Sequence, residues 1–390
     1  MSKLPVIPVE EFALRRQKLQ QEARDAGLDL LVIFSNDRST AGPAHVRYVT
    51  DFATHFESSC CLIPAQGESV LVTGPEAEAL AQLTAKIDNI VVAEEFKHPE
   101  QDHPFSVMSN FPEIIGKMAS ALGHKVRKVG IIGQELMDAA LYSLLAEHYE
   151  LSSVDKLMYK HRAIKSPAEI GVIKYCFEIA EIGFEAAVEA VEVGAAEFEI
   201  AAAAEYAMRM MGTEGTGIDT IVGTGPHATP IVVRAAHRRV ERGDLLGVTV
   251  IPRYQGYHGA VGRPISVGRP NPELADAVAL AVEAQNEVLR HLKPGAIGRE
   301  VEHKAREVMA TKGLDAYFAY VGVHTVGLVE FEPPIFHAES DVKIEADMIV
   351  SADIPCFLAP FGGFRVEDGY HVTHDGPKAL NFNQAGLIQI

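Results

Sequence analysis

GDLLGVTVIPRYQGYHGAVGRPISVG, residues 243–268, reads as two consecutive strands, one over residues 244–252 and one over 259–267. Upstream lies VEVGAAEFEIAAAAEYAMRMMGTEG (191–215), and downstream LKPGAIGREVEHKAREVMATKGLDA (292–316). Each of these has an apolar helix end, a glycine turn, a helix and a second glycine, with Gly194 and Gly295 at equivalent points. Strand signals follow both copies. After the first come 217–222 and the pair within 243–268; after the second come 348–354 and 365–373. Two copies are too few for a solenoid, so the pattern predicts a duplicated helix–turn–helix unit inside one domain.

The chain before this duplication has a different texture. Residues 9–26 read as a helix, with Phe12, Leu19, Ala23 and Ala26 near helical spacing and Gly27 placed to end it. Residues 28–34 form a short apolar run, a buried strand, and further strand candidates are 60–63, 69–72 and 128–132 with helical stretches between. Alternation of this kind implies an α/β domain over roughly the first 150 residues. Residues 159–165 are polar and basic. Ser166-Pro167-Ala168-Glu169 then opens a new helix, Ser166 capping, Pro167 at the first helical position and Glu169 completing a capping box. The linker is placed near residues 151–164, and the domains are 1–155 and 156–390.

At 390 residues the chain exceeds one compact core, which agrees with that division. The formal net charge of −18 argues against nucleic acid or anionic membrane as a partner held by bulk electrostatics. Cys60, Cys61, Cys176 and Cys356 form no CxxC pair, so neither a zinc site nor a redox motif is expected, and the usage fits a reducing compartment. MSKLPVIPVEEF lacks a signal-peptide layout, and no apolar run approaches a membrane span. These observations predict a cytoplasmic enzyme with a small-molecule substrate.

Several stretches carry a family resemblance. Residues 243–268, RAIKSPAEI (162–170), HTVGLVEFEPP (324–334) and GGFRVED (362–368) resemble the pita-bread family of methionine aminopeptidase, prolidase, aminopeptidase P and creatinase. HVRYVTDF (45–52) resembles the N-terminal domain of the creatinase type. The resemblance covers essentially the whole chain. It implies an α/β N-terminal domain followed by a duplicated α+β pita-bread domain, assembled as a homodimer.

Metal-dependent members hold two ions with two aspartates, a histidine and two glutamates. By resemblance, the aspartates fall on Thr249 and Ala260, the histidine on His324, and the glutamates on Asp353 and Glu367. Two catalytic histidines fall on Val232 and Phe331, while the glutamate beside the second is kept as Glu332. Creatinase works without metal. The expectation is therefore a metal-independent, creatinase-like hydrolase without cofactor, cleaving a non-peptide C–N bond of a small polar metabolite. Its catalytic residues would be His324, Glu332, Asp353 and Glu367, converging in one cleft. Carboxylates crowded there without a cation should repel, raising at least one pKa and leaving an acid and a base side by side. Arg365, two residues before the final glutamate, would bind a substrate anion or neutralise its neighbours, with His227 and Thr249 also facing substrate.

Creatine itself is disfavoured, because THFESS (54–59) lacks the arginine creatinase carries there; ectoine is disfavoured by Thr249, where ectoine hydrolase has a glutamate. Two alternatives stand beside this expectation. One is a mononuclear metal-dependent peptidase or lyase of the same fold, using His324, Asp353 and Glu367 as ligands. The other is a non-catalytic pita-bread binding module.

Overall fold

The computed structural model describes residues 4–383 and 385–390, in two compact units: Ile7–Arg162, and Met1–Val6 with Ala163–Ile390. The first unit is built on a seven-stranded sheet. Its spatial order is Met108–Ser109, Ile90–Ala93, Val70–Thr73, Ser59–Pro64, Leu30–Ser35, Lys128–Ile132 and Glu150–Ser153. Leu30–Ser35 runs antiparallel to Ser59–Pro64 and parallel to Lys128–Ile132, and all six of its residues are buried. Both faces of such a strand are covered, which is why its sequence is continuously apolar rather than alternating. The helix Val9–Asp25 buries Phe12, Leu19 and Ala23, and the chain leaves it through Gly27 at φ 66°. This is the α/β unit read from the sequence.

The second unit opens at the expected cap. The Ser166 hydroxyl accepts from the Glu169 amide, and the Glu169 carboxylate accepts from the Ser166 amide at 2.8 Å, starting the helix Pro167–Ala190. That helix packs on Glu197–Met210, as Pro272–His291 packs on Gly298–Ala310. The duplication extends to single hydrogen bonds. The Gly194 amide donates to the Val240 carbonyl and the Gly295 amide to the Ile344 carbonyl, both at 2.8 Å, with both glycines at positive φ. Matching isolated bridges, Ala196 with Arg239 and Ile297 with Lys343, follow.

Both helix pairs contact a sheet with the order Glu332–Ile335, Val323–Thr325, Ile349–Ala359, Gly362–Thr373, Val261–Ser266, Leu245–Val250 and Ile221–Thr224. Leu274, Val278, Ala281 and Val288 of the second helix pair share one buried core with Val350, Ile354 and Val366 of the sheet. The architecture is the α/β domain plus duplicated pita-bread domain that the sequence implied. Among the described residues no helix is long and apolar enough to cross a membrane.

Candidate active site

Strand register sets the site. Thr249 pairs with Gly262, Gly262 with Glu367, and Glu367 with Asp353, so these four residues lie in one row across four adjacent strands. The Asp353 amide donates to the Gly322 carbonyl at 2.8 Å, carrying the row toward His324 on the next strand. Side chains alternate along a strand, so Ser351 shares a face with Asp353, and Arg365 with Glu367.

His324, Asp353 and Glu367 are brought together: one ligand-type atom from each lies within 4.8 Å of the others, and all three residues are buried. Each is held from behind. The Nδ1 of His324 lies 3.2 Å from the Thr325 carbonyl, a donor contact that leaves Nε2 as the unprotonated nitrogen. The Tyr320 hydroxyl donates to Oδ2 of Asp353, and the Ser351 hydroxyl donates to Oε1 of Glu367 at 3.2 Å. The second oxygens, Oδ1 of Asp353 and Oε2 of Glu367, are buried and reached by no donor. Buried polar atoms are rarely left so, and a cation among these three side chains would satisfy them.

Glu330 is the acid that sequence reading missed. It is buried, its Oε1 lies 3.6 Å from Nε2 of His324, and its carboxyl faces Glu367 closely enough to share a proton. Burial pushes Asp353 up to about 7, with Arg365 opposing and Glu367 adding repulsion. It takes Glu330 to about 7 and Glu367 to about 8, each helped by a neighbouring carboxylate. Burial also drives His324 down to about 4, keeping the imidazole neutral. The expected rise in carboxyl pKa is present, although desolvation exceeds mutual repulsion as its cause.

Arg365 lies beside the group, its Nη1 3.8 Å from both Oδ2 of Asp353 and Oε2 of Glu367. Its Nη2 donates to the Ile231 carbonyl at 3.1 Å, and its guanidinium lies against the rings of both Tyr320 and Phe357, 5.5 and 5.4 Å from their centroids. Gly262 makes room for it: a Cβ there would stand 2.7 Å from Cγ and 2.8 Å from Cδ of Arg365. Thr249 lines a narrow pocket with Ile231, Phe357 and Arg365.

Two expected site residues lie elsewhere. Glu332 is buried in an ion pair with Lys165, Oε1 to Nζ 3.0 Å, rather than in the group around His324. HTVGLVEFEPP is irregular where its strand pairs with the next, with a shift between His324 and Thr325, so Glu330 rather than Glu332 is turned to the histidine. His227 lies 3.0 Å from the fully buried Glu197, whose carboxylate also accepts from the Thr224 amide and hydroxyl and the Ala236 amide. This contact fastens a turn. Of the positions where histidines are missing, Val232 is exposed and Phe331 lies tilted against His324, ring centroids 4.2 Å apart.

Comparison with known proteins fits this geometry. The metallopeptidase family M24 pattern matches residues 171–374, and the creatinase/prolidase N-terminal domain pattern matches residues 15–164. The chain belongs to metallopeptidase family M24. A relative, the Xaa-Pro dipeptidase of Pyrococcus horikoshii, is 33% identical over 244 residues, covering 61% of this chain and 68% of the relative. The prolidase structure from Pyrococcus horikoshii OT3 superposes with a TM-score of 0.81 at 25% identity, covering 95% of this chain and 99% of that one. The Xaa-Pro dipeptidase from Bacillus anthracis gives 0.82 at 25% identity, covering 97% and 100%.

These M24 relatives overturn the expected reaction. They are named Xaa-Pro dipeptidases, and the pattern this chain matches is that of a metallopeptidase family, so a metal-independent hydrolase of a non-peptide C–N bond is not the reading supported. The loss of two ligands at Thr249 and Ala260 does not entail loss of the metal. The three that remain are instead held like ligands, each with one hydrogen bond made, and the two carboxylates each keep one buried oxygen without a donor. They fit one ion. They do not make the two-ion set, because Thr249 and Ala260 supply no carboxylate.

Proposed function

We propose that this M24 member is a metal-dependent peptidase that uses a single divalent ion, held by His324, Asp353 and Glu367, to cleave Xaa-Pro dipeptides. One observation carries the reading. Three buried side chains from three strands bring one ligand-type atom each within 4.8 Å of the others, and both carboxylates keep an oxygen without a donor. A divalent ion bound there would supply Lewis acidity toward the scissile carbonyl.

The chain's own residues do the rest. Tyr320 and Ser351 fix the two carboxylates from behind, so their free oxygens need no reorientation on binding. Burial keeps the Tyr320 phenol well above its ordinary pKa, so it stays a donor to Asp353 at any working pH. Arg365 has five N–H donors, and its fork suits the α-carboxylate of a dipeptide. Phe331, Tyr320 and Phe357 supply aromatic surface around the group, suited to the apolar pyrrolidine ring of proline. The names of the relatives support the same substrate class.

The test is proline release from a set of Xaa-Pro dipeptides by chelator-treated protein, before and after reloading with Mn²⁺ or Co²⁺. Activity should be absent after chelation and return with the ion. Full activity in the chelated protein would refute the proposal.

A further inference from the structure

We propose that Glu330 is a fourth ligand to the single ion, taking the place of the carboxylates missing at Thr249 and Ala260. The inference rests on the metal-peptidase reading and adds to it a residue that the family resemblance does not assign.

Spacing supports it first. Two ligands bound at about 2.1 Å to one ion, at a tetrahedral angle, stand about 3.4 Å apart. Oε1 of Glu330 and Nε2 of His324 are 3.6 Å apart, and Nε2 is the nitrogen left free when Nδ1 is held by the Thr325 carbonyl. The Glu330 carboxyl also faces that of Glu367, whose Oε2 has no donor. Glu330 therefore adjoins two of the three ligand residues, His324 and Glu367.

Composition points the same way. The buried group brings three acidic side chains, Glu330, Asp353 and Glu367, beside one guanidinium, Arg365. A divalent cation shared among the three carboxylates would offset the repulsion between them. Glu332, its neighbour by two residues, shows the contrast: it is paired with Lys165.

Mn²⁺ affinity, measured by isothermal titration on the chelator-treated full chain, tests this without reference to activity. Wild type should bind one ion. Glu330→Gln should bind at least about 10-fold more weakly, while Glu332→Gln should bind as wild type does. A crystal of the Mn²⁺-loaded wild type should place a Glu330 oxygen within about 2.3 Å of the ion, which decides the matter even if Glu330→Gln does not fold. Unchanged affinity in a folded Glu330→Gln protein, or an ion more than about 3 Å from Glu330, overturns the assignment while leaving the metal-peptidase reading intact. A wild type that binds no Mn²⁺ overturns both.

Discussion

Asp353 and Glu367 face each other across one rung of the antiparallel pair formed by Ile349–Ala359 and Gly362–Thr373, both buried. Like charges directly opposite in a sheet are destabilising unless something neutralises them. In the metal-free protein that neutraliser is protons, with Asp353, Glu330 and Glu367 raised to about 7, 7 and 8.

A pH dependence follows from those values. The folded chain holds protons on these groups that the unfolded chain releases from about pH 4 upward. Their contribution to stability is complete below the unfolded values and is lost as pH rises through 7 to 8. The melting temperature of chelated protein should therefore fall between pH 5 and pH 8.5, and saturating Mn²⁺ should restore it most at the upper end. Scanning calorimetry across that range, with and without the ion, checks both halves; a metal effect greatest at pH 5 would contradict the charge assignment.

Glu332 and Lys165 provide a structural control inside the same strand neighbourhood. Both side chains are buried in one ion pair, and removing one partner from such a pair costs about 3–5 kcal/mol. Glu332→Ala should lower the urea midpoint of the second unit accordingly, yet leave ion stoichiometry at the wild-type value. Loss of the ion from a folded Glu332→Ala protein would return Glu332 to the site.

Arg365 depends on the absence of a side chain at Gly262, where a Cβ would sit 2.7 Å from its Cγ. Gly262→Ala should displace the guanidinium and raise KM for an Xaa-Pro dipeptide by roughly 10-fold, the scale of a lost charge-assisted contact. A larger effect on kcat than on KM would argue that Arg365 acts on the ligands rather than on substrate.

His227 and Glu197 should respond unequally. Glu197 is fully buried and accepts from the Thr224 amide and hydroxyl and the Ala236 amide, whereas His227 is about half exposed. Glu197→Ala strands several buried donors and should destabilise by about 2–4 kcal/mol; His227→Ala should cost under about 1 kcal/mol and leave dipeptide turnover unchanged. Denaturant titration separates the two, and a large kcat loss in His227→Ala would restore it as a site residue.

The duplicated unit was legible because glycine turns and helix caps are local: Gly194, Gly295 and Ser166–Glu169 each do in the structure what their spacing implies. His324, Asp353 and Glu367 were legible through motif resemblance, and strand register explains why they meet. Glu330 was not. Two glutamates two positions apart look equivalent in HTVGLVEFEPP, and only the shift beside Thr325 decides which one faces His324. Ser351 and Tyr320 left weaker signals: Ser351 shares a strand face with Asp353, but Tyr320 reaches it from an irregular segment. The expected metal-free chemistry failed for a related reason. Counting missing ligands says how many ions can no longer bind, whereas the orientation of the survivors says whether one still can.

The central claim is that His324, Asp353 and Glu367 hold one ion. Metal analysis of wild type and His324→Ala, each dialysed against Mn²⁺ and then buffer, tests it most directly. The account predicts one ion per chain in wild type and a substoichiometric amount in His324→Ala, with both proteins folded. Equal metal content in the two proteins, or none in wild type, would contradict it.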